Sequence, residues 1–115
     1  MNGEPLSAVV AAKALDGLTM RMAALAHNIA NAGSPTFQAV GVRFEDALGK
    51  AARRGPEAVR SLEFGFEAGR TYMIGEDRRL DLLIADASQT AARYAAVVDM
   101  MGRRMAIQRT VSGAQ

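Results

Sequence analysis

The stretch LDGLTMRMAALAHNIANAGSPTF, residues 15–37, decides the fold. Leu15, Leu18, Met22, Leu25 and Ile29 recur at spacings of 3, 4, 3 and 4. Ala8 and Ala11 carry the pattern backward, and Ala32 carries it forward. This is a heptad seam along one side of an α-helix. Ser7 is the expected N-cap, with Pro5 outside the helix. Residues 7–31 would then form a rod of roughly 37 Å.

The other faces of this helix are as informative as the seam. Lys13, Asp16 and Arg21 are the only formal charges between Leu6 and Ala32. Val10, Ala14, Gly17, Ala24, Asn28 and Asn31 make a face of small residues. Ala12, Ala23, Ala26 and Ala30 fill much of the remainder. A helix apolar nearly all round is expected to be buried nearly all round, which a chain of 115 residues does not easily achieve alone. Other copies, or other proteins, are expected to supply the missing walls.

The end of the stretch is a polar corner. Asn28 and Asn31 share a face that is not the seam. Asn is a poor helix former, so two of them in the last turns require another use. Each amide both donates and accepts. They are expected to tie down the carbonyls of the helix end and the backbone of the loop beyond. Gly33 is placed to be a left-handed C′ residue. Pro35 stops the helix and makes Ser34 extended. Phe37 then returns an aromatic ring to the core.

A second periodic run closes the chain. Leu80, Ile84, Ala87, Ala91, Tyr94, Val98, Met101 and Met105 repeat the alternation, predicting a helix from about Asp81 to about Thr110. Asp81 and Asp86 near its start and Arg103, Arg104 and Arg109 near its end complement the helix dipole. Ser112 and Gly113 end it. The two heptad helices are expected to pair, parallel or antiparallel. Between them, residues 33–80 hold all four Phe and most of the Gly. Arg43–Arg54 predicts a short helix stopped by Gly55 and Pro56. SLEFGFEAGRTYMI, residues 61–74, alternates weakly and predicts a hairpin or extended segment. GEDRRLD, residues 75–81, predicts a turn into the last helix. The expected fold is therefore mainly α: one domain with terminal helices 1–32 and 81–115, paired like a coiled coil, and a loop- and β-rich middle.

The totals narrow the function. Fourteen basic against twelve acidic residues is too balanced to imply nucleic acid. The chain has no cysteine, which excludes disulfides and thiolate zinc sites. No apolar run approaches the ~18 residues of a membrane span, and the N-terminus lacks the basic n-region of a cleaved signal. His27 is the single histidine and has no catalytic or metal-binding spacing around it. Glu45–Asp46 and Glu76–Asp77 are adjacent, and adjacent residues on a helix do not face each other. No phosphate-binding glycine loop is present. No catalytic, cofactor or metal site is expected.

LAHNIANAGSPTFQAVGVRFEDAL, residues 25–48, resembles the N-terminal signature of bacterial flagellar axial proteins, the family of rod, hook and hook-associated subunits. Asn28, Ile29, Ala30 and Asn31 match its N-I-A-N run. Ser34, Pro35, Thr36 and Phe37 stand where its T-P-G-Y type turn would be, with only Pro35 identical. Phe44, Glu45, Ala47 and Leu48 resemble the F-E-x-A-L segment of the proximal rod subunits. Tyr94, Ala96, Arg109 and Thr110 fit their closing Y-x-A and R-T elements. The D-G-N-x-V-D-L entry to the last helix is blurred to residues 75–82.

The resemblance implies a structural subunit and no enzyme. It implies export through the flagellar type III apparatus without a cleaved signal, and assembly in the periplasm into the helical rod of the basal body. The implied partners are further copies, other rod proteins and neighbouring export-gate components, with no nucleic acid and no membrane insertion. In that setting Leu15, Leu18, Met22, Leu25 and Ile29 are expected to pair with Leu80, Ile84, Tyr94, Val98 and Met101. The small-residue face, Ala24 included, is expected to pack on neighbouring subunits, so Ala24→Glu would block assembly. Asn28, Asn31 and Pro35 are expected to fix the corner, with Phe37 and Phe44 returning to the core. The alternatives are the sister rod subunit and, in another class, a helical nucleic-acid-binding module using Lys50–Arg54 and the terminal arginines. A membrane-surface helix lacks the broad basic face it needs.

Overall fold

The computed structural model describes residues 3–70 and 75–113. Its elements in order are α1 (Leu6–Asn31), β1 (Val40–Gly41), α2 (Glu45–Arg54), α3 (Pro56–Arg60), β2 (Glu67–Ala68) and α4 (Glu76–Gly113). The chain is mainly helical, with a long C-terminal helix and a small two-stranded sheet. α1 begins one residue before the expected cap. Pro5, not Ser7, is the N-cap, and its carbonyl accepts from the N–H groups of Ala8 and Val9 at 3.0 and 3.2 Å. Proline supplies the extended φ and ψ needed there, so Ser7 falls inside the first turn.

α1 ends at the corner as expected, but by other means. Gly33 does not take the left-handed conformation, which among the described glycines belongs to Gly55. Ala32 stays helical, and the chain leaves through two tight turns, Ser34 N–H to Asn31 O at 3.0 Å and Phe37 N–H to Ser34 O at 3.1 Å. Pro35 occupies the second position of the latter turn, where its fixed φ is favoured. The helix-end carbonyls are met by side chains. Asn31 Nδ2 donates to His27 O at 2.8 Å, and Arg79 Nη1 donates to Ala32 O at 2.6 Å.

α2 starts at Glu45 rather than Arg43. Gly55, at φ 116°, does not simply end it: it turns the chain into α3, for which Pro56 is the first residue. Proline at the first helical position has no N–H to lose. Of the hairpin or extended segment expected within residues 61–74, the described residues form the extended one. β2 pairs antiparallel with the distant β1, Val40 opposite Ala68 and Gly41 opposite Glu67. Residues 71–74 lie outside the described residues. α4 starts at Glu76, so most of the expected turn at 75–81 is already helix.

α1 and α4 pack side by side and antiparallel. Arg79 and Leu83 lie at the end of α1, and Met100, Met101 and Met105 share a groove with Pro5, Ala8 and Ala11 at its start. The middle segment lies against α1 as a second layer. One core joins Val9, Leu18 and Ala24 of α1 to Val42, Phe44, Leu48, Ala51 and Val59. A smaller one joins Leu25 and Ala32 to Leu83, with Ile29, Phe37 and Ala87 around it. The Cα extents are 63 × 27 × 16 Å. The shortest leaves room for the helix pair and one layer upon it, not two.

Candidate assembly surface

The side of α1 that meets the middle segment is built from small residues and two cations. A Cβ on Gly17 would lie 2.6 Å from Cγ and Cδ1 of the Phe44 ring. The missing side chain is therefore the notch that seats the ring. Arg21 lies across the same ring, its Cζ 4.6 Å from the centroid. Its guanidinium donates to both carboxylate oxygens of Glu45 at 2.7 Å, and to Val42 O at 2.8 and 3.2 Å. The Arg21 hydrogen bonds hold the Glu45 carboxyl down at about 2, against a usual value of 4.5. Lys13 reaches the same layer, donating to Arg60 O at 3.3 Å. Further along, Ala24 is 1% exposed and Asn28 2%. Asn28 Nδ2 donates to Val40 O at 2.8 Å, and Asn28 Oδ1 accepts from Val40 N–H at 2.9 Å.

This corrects one expectation. The small-residue face does not await a neighbour: the chain's own middle segment covers Gly17, Ala24 and Asn28. Asn31 lies at its margin, exposed and bonded within its own helix. Phe44 is buried at 3% and Phe37 half-buried beside Arg79, whose Cζ is 4.8 Å from its ring. Pro35 is exposed on the turn.

A second correction concerns α4. The stripe that meets α1 is Leu83, Ala87, Thr90, Val97 and Met101, with Leu83 fully buried and Thr90 5% exposed. Of the expected α4 partners only Met101 turns partly inward. Leu80, Ile84, Tyr94 and Val98 are 38, 49, 39 and 46% exposed. The helix carries two apolar stripes roughly 70° apart. Thr90 interrupts the apolar run of the inner one. Its Oγ1 donates to Asp86 O at 2.8 Å, so it enters the interface with its donor satisfied. On α1, Leu18 and Leu25 are buried, while Leu15, Met22 and Ile29 are half-buried along one edge of the contact.

Advancing about 100° per residue shows what these offsets produce. The exposed stripe of α4, namely Leu80, Ile84, Ala91, Tyr94, Ala95, Val98, Gly102 and Met105, points to the side opposite the middle segment. On the same side α1 presents Ala8, Ala12, Leu15, Thr19, Met22, Ala23, Ala26 and Ala30. None of these residues is charged. One broad side of the helix pair is thus exposed and mainly apolar, with Asp16 at its α1 edge and Arg109 beyond the end of α1. With α1 about 39 Å long and two helices together about 18 Å wide, it covers about 700 Å². The largest apolar patch on an ordinary monomer is about 300–600 Å².

Polar groups gather on the covered side. A cleft of about 210 Å³ there is lined by Arg21, Arg43, Arg70, Arg93, Asp86 and Gln89, among others. Arg70 pairs with Asp86 at 3.4 Å, and Arg93 reaches Glu45 at 3.7 Å. His27 is exposed on α1 away from these groups. Among the described residues no three His, Cys, Asp or Glu side chains gather as a metal ion requires, and no helix is long and apolar enough to cross a membrane. Spacing did not single out Arg21, Glu45, Arg79, Thr90 and Leu83 for their packing roles. One signal was present for Arg21: a cation on an otherwise almost uncharged helix needs an acceptor. Compared with known proteins, the chain matches no family model and no curated protein.

Proposed function

We propose that the chain is a structural subunit of the bacterial flagellar basal-body rod, of the proximal rod type, and that it is not an enzyme. Its reading as an axial protein rests on the signature of residues 25–48. It is supported by what those residues do. Asn28 clamps the returning chain, Pro35 sets a turn, Phe44 fills the Gly17 notch and Glu45 grips Arg21. Each serves to hold a rigid middle layer on a long helix.

The observation that carries the proposal is the exposed, mainly apolar side of the α1–α4 pair. A surface of that size and character is an interface waiting for a partner. In the rod, the partners are further copies and other rod proteins, with the terminal helices packed as layers of coiled coil. A contact repeated about an axis without closing gives a shaft that transmits torque. Export without a cleaved signal through the type III apparatus and assembly in the periplasm belong to the same reading.

Mass spectrometry of purified basal bodies from the source organism tests it. The chain should be retained after detergent and mild acid treatment. Its absence there, with the protein soluble in the cytoplasm, would overturn the assignment.

A further inference from the structure

The polar cleft on the covered side carries charges that do not balance. It is bounded by α1, the β1–β2 pair and α4, and measures about 210 Å³. Four arginines line it: Arg21, Arg43, Arg70 and Arg93. The carboxylates that meet them are Asp86, which pairs with Arg70, and Glu45, which lies between Arg21 and Arg93. Two positive charges are left over. We propose that the cleft binds a phosphate group, held by Arg43 and Arg93 with Arg70 beside them.

The four arginines are not equivalent. Arg21 is fully engaged: Nε and both Nη nitrogens already donate to Val42 O and to the Glu45 carboxylate. It is a fixed wall of the cleft. Arg93 stands 3.7 Å from Glu45 Oε2, beyond hydrogen-bond length, and its side chain is 54% exposed. Its donors are available to a stronger acceptor. Arg43 is exposed and makes no hydrogen bond, ion pair or ring contact among the described residues.

The backbone brings these groups to one place. A Cβ on Gly41 would lie 2.9 Å from Cα of Gly69, and one on Gly69 would lie 2.8 Å from the carbonyl carbon of Val40. Only bare backbones allow β1 and β2 so close an approach there. Arg70, next after Gly69, thereby reaches Asp86 of α4. Arg43 follows two residues after Gly41, on the link into α2.

The chemistry favours phosphate. A guanidinium is a planar fork of donors that matches paired anionic oxygens. Phosphate groups carry about 1.5–2 negative charges at neutral pH, which suits the two left over; a single carboxylate would balance one. Ala24 and Leu25 give the cleft apolar walls, against which charges attract more strongly than in open water. The volume lies below the ~300 Å³ of small organic-ligand pockets, and fits one compact anionic group. The inference does not rest on the rod assignment.

Inorganic phosphate is the first probe, titrated calorimetrically into the purified chain at low salt, with acetate as the single-charge control. Saturable binding at one site is expected, at least tenfold tighter for phosphate than for acetate. Arg43→Gln and Arg93→Gln should each weaken it about tenfold, and together abolish it. Arg53→Gln, at the end of α2 and outside the cleft, should leave it unchanged. All three side chains are exposed, and circular dichroism checks that the variants remain helical. A second arm separates the sources of the phosphate: co-sedimentation with phosphatidylcholine vesicles containing phosphatidate. Retention that is lost in the double variant makes the source a lipid headgroup. Binding of inorganic phosphate without retention makes it a free phosphate. No saturable phosphate binding in either arm overturns the inference. So does binding that survives the double variant, or acetate bound as tightly as phosphate.

Discussion

Asn28 holds Val40 by both of its backbone groups, donating to the carbonyl at 2.8 Å and accepting from the N–H at 2.9 Å. A helix side chain thus takes the place of a neighbouring strand. β1 is paired on one edge by β2 and on the other by this amide. The corner at residues 31–37 and the strand it feeds are fixed to α1 through one buried residue.

Asn28→Ala should therefore cost about 2–4 kcal/mol, since it leaves two buried backbone groups without partners. Asn28→Asp should be no better, because a carboxylate cannot donate to the Val40 carbonyl. Denaturant unfolding of both variants against the wild type measures this. A cost under about 0.5 kcal/mol would mean that water replaces the amide.

The notch at Gly17 gives a prediction opposite in sign to helix propensity. Alanine should stabilise an exposed helix interior by about 1 kcal/mol relative to glycine. Here its Cβ would press on three ring atoms of Phe44 at 2.6–2.8 Å. Gly17→Ala should therefore be destabilising, by about 1–3 kcal/mol. The double variant Gly17→Ala with Phe44→Leu should lose less than the two single effects summed. Full additivity would show that the two residues do not press on each other.

Glu45 makes stability depend on acid. Its carboxyl is held at about 2 by the Arg21 hydrogen bonds, below the usual 4.5. A depressed folded-state value means that the stabilisation is present above pH 4.5 and is lost as the pH falls towards 2. The side chain is 54% exposed, so after solvent screening the contribution is about 1 kcal/mol. Thermal melts of Glu45→Gln and the wild type should differ at neutral pH and converge near pH 2. A difference that persists at pH 2 would place the effect elsewhere than in the carboxylate.

Ala24 separates folding from assembly. With 1% of its surface exposed, Ala24→Glu forces a charge into the core beneath the middle segment. It should cost about 4 kcal/mol or more and unfold the single chain. Circular dichroism of the purified variant is sufficient. A helical spectrum and a wild-type melt would show that the middle segment does not seal this face.

Much of this architecture was legible in the sequence because it is local. The two long helices follow from periodicity, and the corner from Asn28, Asn31 and Pro35. Phe44 and Phe37 turned inward as large apolar residues should. What escaped was set by distance along the chain. No local pattern says that β2 pairs with β1, or that Arg21 awaits Glu45. Gly55–Pro56 stops one helix and starts another, and the two signals are written with the same residues. On α4 two apolar stripes competed. The one holding Thr90 faces α1, its hydroxyl bonded within its own turn, and the more hydrophobic stripe was left outside. Small residues along α1 announced close packing but not its partner, which for Gly17 and Ala24 is the same chain.

That uncovered stripe is the proposed assembly surface, and one substitution tests it. Val98 is 46% exposed on the bare side, so Val98→Glu should melt with the wild type, within about 0.5 kcal/mol. Expressed in place of the wild-type chain, it should be absent from purified basal bodies, and the cells should fail to swim. A Val98→Glu chain that enters the basal body and supports normal swimming would show that this side is not the surface through which the protein assembles.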